Sequence, residues 1–142
     1  MFADGRSESA GESLTRSVMR RSGLPEPGVQ ITIYAPDGTF IGRADLGYPE
    51  LGVLIEFDGL IKYSKLLKPG ERAPDVVLAE KLREDRLREL GYLVVRLVWS
   101  ELADPVAVAR KITTKLEQGR RIVAAGGISG TWTAEPELRI PR

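Results

Sequence analysis

Arg43 to Lys62 reads RADLGYPELGVLIEFDGLIK. Its centre, Leu51 to Ile55, is a continuous apolar run, which predicts a strand buried on both faces and therefore central in a sheet. Three carboxylates flank that run: Asp45 before it, Glu56 and Asp58 at its end. Ionised carboxylates beside buried strands are costly unless a positive partner meets them. Hard oxygen donors with room for water suit Mg²⁺ or Mn²⁺.

Outward from this stretch the pattern is regular. Val29-Gln30-Ile31-Thr32-Ile33-Tyr34 alternates with period two, and Pro36-Asp37-Gly38 is turn chemistry. Thr39 to Leu46 reads as the return strand, ended by Pro49, and Leu51 to Asp58 as the third strand. Ser9-Ala10-Gly11-Glu12 has the form of a capping box and opens a helix over about 10–22, closed by Gly23. Gly59 to Glu71 reads as a polar loop carrying Lys62, Lys65 and Lys68. A helix follows from Pro74 or Asp75 to Leu90. At about 100° per residue, Ala79, Leu82, Leu87 and Leu90 share a wide sector with Arg83 and Arg86. Tyr92 to Trp99 is a fourth, nearly continuous apolar strand whose lone charge is Arg96. Asp104-Pro105 caps and starts a last helix with the stripe Val108, Ile112 and Leu116, ending at Gly119 or running on to Ala125. The fold class is thus α/β. Its order is α-β-β-β-α-β-α, with a mixed four-stranded sheet and helices on its faces. Residues 1–8 form a flexible N-terminus and 9–125 the domain. Residues 126–142 form a C-terminal arm, with room for a short strand around Thr131 to Thr133.

Composition narrows the chemistry. The 142 residues include no Cys and no His, which excludes disulfides, thiolate or imidazole metal sites and a Ser-His-Asp triad. Acid–base work falls to carboxylate, lysine or metal-activated water. The formal charge of +1 is not that of an evident nucleic-acid binder, so any phosphate-binding surface must come from local charge segregation. No apolar run approaches the ~20 residues of a membrane span, and the N-terminus lacks a secretory plan, so the expectation is a cytoplasmic protein with no membrane association.

Several of these acids have plain structural explanations. Glu12 completes the capping box, and Asp45 is a strand-end residue before Gly47. Glu56 is placed for an ion pair with Arg43 or Arg96, and Asp58-Gly59 is an ordinary turn pair. Strict alternation puts Arg43 and Asp45 on one face, opposite Ala44 and Leu46, and puts Glu56 and Asp58 on the face of Leu54. A tight hairpin would then separate Asp45 from Glu56, unless a bulge at Gly42 or Gly47, strong twist or divergence of the strand ends joined them. Arg83 and Arg86 either snorkel over the sheet edge, pair with the acids or grip a phosphate.

Taken together, GESLTR, IGRADL, LIEFDGLIK, EKLREDRLRELGY and VVRLVW, over roughly residues 9–118, resemble the PD-(D/E)XK nuclease superfamily, specifically domains allied to very-short-patch repair endonucleases. The resemblance implies a restriction-endonuclease-like fold in which the second and third strands converge on one metal. It implies a metal-dependent DNA endonuclease of repair or defence type, with Asp45, Glu56 and Asp58 as ligands for Mg²⁺ or Mn²⁺ and Glu12 assisting. The superfamily lysine belongs two residues after Glu56, where this chain has Asp58. Lys62 either stands in for it, or catalysis is altered or lost. The second case would leave an inactive nuclease-fold module with a DNA-binding, regulatory or antitoxin-type role. Relatives of this kind are often fused behind a winged-helix domain, so the implied partners are DNA, a fused or separate winged-helix domain, and a second copy in a homodimer.

Overall fold

A computed structural model of the chain describes residues 2–58 and 73–135. Lys62, Lys65 and Lys68 lie outside the described residues. Helix α1 spans Phe2–Arg21, then strands β1 (Gly28–Tyr34), β2 (Phe40–Tyr48) and β3 (Val53–Phe57), helix α2 (Ala73–Glu89), strand β4 (Leu93–Leu97), helix α3 (Pro105–Ala124) and strand β5 (Thr131–Glu135). The sheet runs β4-β3-β2-β1-β5 and is mixed: β3 and β4 are parallel, the other pairs antiparallel. It has five strands rather than the expected four, because Thr131–Glu135 pairs with β1 as an edge strand.

The sheet separates two cores. On one face Val18 and Met19 of α1 and Val108, Ile112 and Leu116 of α3 pack against Leu46, Tyr48, Val53, Ile55, Phe57, Val95 and Leu97. On the other face Leu87 of α2 packs with Ile31, Ile33, Ala44, Leu54 and Tyr92. Val53, Leu54 and Ile55 are at most 1% exposed, so β3 is buried on both faces, as its continuous apolar run requires. Asp104 caps α3 by accepting from the Ala107 N–H at 3.2 Å, with Pro105 in the first turn, and the helix runs past Gly119 to Ala124.

Three expectations change. Helix α1 begins at Phe2, so Ser9 and Glu12 lie within it and the capping-box reading of Glu12 does not hold. The inward face of α2 is not its most apolar one: Leu87 is buried, whereas Leu78 and Leu82 are more than half exposed and Ala79 is exposed. The positions turned inward with Leu87 are Glu80, Arg83 and Glu84, at spacings of three and four residues that keep them on one helical face.

Alternation along β2 is the third correction. Ala44 packs on the α2 side and Leu46 on the opposite side, although two residues apart in one strand should share a face. The neighbouring strand does the same: Ile31 packs with α2, and Val29 packs against the other core. Between those pairs lie Gln30 and Asp45, which the register sets opposite each other, and Gln30 has a left-handed φ of +48°. An L-residue in that region turns the chain out of regular pleat. Both strands therefore change face at one step.

Candidate functional site

The β2–β3 connection fixes where the acids go. Pro49–Leu51 forms a single 3₁₀ turn closed by Gly52 at φ +71°, a conformation that favours glycine. The ladder then runs Tyr48 opposite Val53, Gly47 opposite Leu54 and Leu46 opposite Ile55. One further step along this register sets Asp45 opposite Glu56. The expected separation of these two acids is thus corrected: β2 continues to Tyr48 instead of ending at Leu46, which moves Asp45 away from the turn and level with Glu56. Asp45 lines a cavity with Glu80 and Arg83 of α2, the side of the sheet on which Ala44 packs.

Asp45, Glu56 and Asp58 line one cavity of about 260 Å³ on the α2 side of the sheet, together with Gly42, Glu80, Arg83 and Arg96. Its charges are closely paired. Arg83 Nη2 donates to Glu56 Oε1 in a short contact and to Glu80 Oε2 at 3.1 Å, while Nη1 donates to the Arg43 carbonyl at 3.3 Å. The parallel β3–β4 register puts Arg96 beside Glu56, and its Nη2 donates to Glu56 Oε2 at 3.3 Å. Arg96 also lies 3.9 Å from Asp58 Oδ2, 3.8 Å from Glu80 and 3.9 Å from Glu84. Both oxygens of Glu56 thus face guanidinium groups, in the ion-pair role expected for Arg96 and with Arg83 added. The Glu56 side chain is 12% exposed and that of Arg83 20%. Burial works against the Arg83 charge, but Glu56 and Glu80 outweigh it and hold the guanidinium above its ordinary pKa.

Two further features belong to the cavity. Asp58 donates its backbone N–H to the Leu97 carbonyl at 2.7 Å, and its Oδ1 is buried with no hydrogen-bond partner among the described residues. Such an atom costs free energy unless a donor or cation meets it. Gly42 makes room for Arg83: a Cβ there would stand 3.1 Å from Arg83 Cγ and 3.2 Å from Cδ.

The remaining predicted residues sit elsewhere. Glu12 is half-buried on α1, next to Gly11, which packs on the Phe57 ring, and it does not line the cavity. Arg86 is exposed on α2 and does not line it either. Glu80 and Glu84 are the site residues that sequence reading did not single out. The available signal was the spacing of Glu80 from Arg83 (i,i+3) and from Glu84 (i,i+4) within EKLREDR, which an apolar-face reading of α2 hides.

The donors have the hard-oxygen chemistry that a divalent cation takes, and Asp58 Oδ1, without a hydrogen-bond partner among the described residues, suits one. As they stand, no three acids among the described residues are grouped to hold an ion, and both oxygens of Glu56 are engaged by arginines.

Fold and cavity define an α/β protein with a mixed sheet and a partly buried carboxylate–guanidinium cluster beside β2 and the C-terminal ends of β3 and β4. The chain is similar, at 32% identity over 120 residues, to an uncharacterized protein of Mycobacterium tuberculosis strain H37Rv and to one of strain CDC 1551. The matched region is 84% of this chain and 41% of each relative, so the chain spans about two-fifths of the length of the curated relatives it matches. No family model matches the chain, and no solved structure matches it. No helix among the described residues is long and apolar enough to cross a membrane.

Proposed function

We propose that the protein is a metal-dependent DNA endonuclease with a restriction-endonuclease-like fold. One observation carries the reading: the β2–β3 register, extended one step, sets Asp45 level with Glu56, on the cavity that also holds Oδ1 of Asp58, which has no hydrogen-bond partner among the described residues. Asp45, Glu56 and Asp58 would hold Mg²⁺ or Mn²⁺. The chemistry such a cation would supply is a water of lowered pKa and compensation of the charge building on the attacked phosphate. Arg83 and Arg96 carry planar forks that match two phosphate oxygens, and they orient the scissile group. Lys62, outside the described residues, is the candidate for positioning the nucleophile.

A second reading is favoured by a specific pair of facts. Position 58 holds Asp in place of the superfamily lysine, and both Glu56 oxygens are engaged by arginines. These suit a nuclease-fold module without turnover that binds DNA or regulates a partner.

The test is incubation with plasmid and with single-stranded DNA in Mg²⁺ or Mn²⁺, beside Asp45→Ala and Glu56→Ala. Cleavage by the parent, abolished by chelation and in both variants, supports the enzyme. A salt-sensitive shift of DNA without cleavage at any metal concentration supports the module.

A further inference from the structure

We infer that Arg83 gates cation access to Glu56, and that an incoming phosphate opens the gate. The inference rests on the nuclease reading and assigns a regulatory step to the same site. Three observations lead to it. Arg83 and Arg96 between them occupy both oxygens of Glu56, so a cation seeking those oxygens meets fixed positive charge within hydrogen-bonding distance. Like charges so close inside a partly buried site strongly disfavour joint occupancy.

Arg83 has a second resting place. Glu80, one turn earlier on α2, already accepts from the same Nη2 at 3.1 Å, so the guanidinium can leave Glu56 without losing every compensating charge. Its stem lies over Gly42, where an added Cβ would stand 3.1 Å from Cγ and 3.2 Å from Cδ, so any side chain at position 42 displaces it. Arg96, set beside Glu56 by the β3–β4 ladder, also lies within 3.9 Å of Asp58, Glu80 and Glu84, so it stays within an acidic surround when Arg83 moves.

A phosphate entering the cavity competes with Glu56 for the Arg83 fork, and a guanidinium matches a phosphate as well as it matches a carboxylate. Drawing Arg83 off releases Glu56 Oε1 to a cation. Nucleic acid and metal therefore bind with positive coupling, and the coupling is reciprocal. In the free protein the acids stay neutralised by arginine.

Calorimetric titration of Mn²⁺ into the wild type, Arg83→Met, Gly42→Val and Glu56→Gln, each with and without a short duplex oligonucleotide, tests the gate. In the wild type the duplex should raise Mn²⁺ affinity about tenfold or more, within the usual range of site–site coupling. Arg83→Met should bind Mn²⁺ about tenfold more tightly than the wild type without duplex and gain nothing from it. Gly42→Val, whose added side chain pushes Arg83 from its groove without removing its charge, should shift the same way, and it carries the test if Arg83→Met does not fold. A purely structural arginine would lower stability but would not tighten metal binding. Glu56-dependent Mn²⁺ binding that is no tighter in Arg83→Met or Gly42→Val than in the wild type overturns the gate and leaves the nuclease reading standing. No Glu56-dependent binding in any form, with or without duplex, overturns both.

Discussion

Extended one step beyond the last ladder pair of β2 and β3, Leu46 with Ile55, the register sets Asp45 level with Glu56, although ten residues and a 3₁₀ turn lie between them in the chain. The pairing follows from the length of β2 past Leu46, and its direction from the change of face opposite Gln30.

Gln30 is the residue on which that change of face turns. Left-handed backbone costs an L-residue about 1–2 kcal/mol, and glycine escapes most of that penalty. Gln30→Gly is expected to raise stability by up to about 1 kcal/mol in urea unfolding. Gln30→Val, β-branched and poorly suited to positive φ, should lower it. If Val were tolerated and Gly destabilising, the strain account of this step would be wrong.

This step also marks what the sequence conceals. The buried run Leu51 to Ile55 announced a central strand, and Asp104-Pro105 announced a helix start, because each is a local signal with a single physical meaning. The face of Asp45 was not legible, since a glutamine gives no hint of left-handed backbone and the strict two-residue period puts Ala44 and Leu46 together. The inner face of α2 was hidden for a related reason: tertiary charge pairing with Glu56 and Arg96 turns Glu80 and Arg83 inward and leaves Leu78 and Leu82 exposed. Strand β5 carries only exposed or half-buried side chains, so its edge pairing left a faint mark on TWTAE.

Gly11 lies where α1 crosses β3. A Cβ there would stand 2.2 Å from the Phe57 ring, which is itself packed edge-on against Trp99 at a centroid distance of 5.0 Å. In an exposed helix Gly→Ala stabilises by about 1 kcal/mol, whereas overpacking a core costs about 1–3 kcal/mol. Gly11→Ala should therefore destabilise by about 1–2 kcal/mol, the opposite of its helix propensity. A stabilised variant in thermal or denaturant unfolding would contradict this packing.

Glu26 ties the connector after α1 back to the helix. Arg20 donates to both of its oxygens, at 3.1 and 2.9 Å, and Arg16 adds a contact at 3.3 Å. The hydrogen bonds from Arg20 lead in lowering the Glu26 pKa below 4.5, with burial opposing and Arg16 assisting. With the folded value below the unfolded one, the unfolded chain binds more protons in the window between them. The contribution is present above pH 4.5 and is lost as pH falls through the lowered value. Solvent screening keeps it small, so Glu26→Gln should cost about 0.5–1 kcal/mol at neutral pH and low salt. That difference should vanish in acid. A difference that grows on acidification would contradict the assignment.

The central claim is that Asp45 and Glu56 serve one cation. A double-mutant cycle on Mn²⁺ affinity, measured by calorimetry with duplex oligonucleotide present, tests it most directly. Asp45→Asn and Glu56→Gln should each weaken Mn²⁺ binding about tenfold or more, and the double variant should lose far less than the product of the two, as expected for ligands of one ion. Unchanged Mn²⁺ affinity in either single variant, or losses that simply multiply, would contradict it.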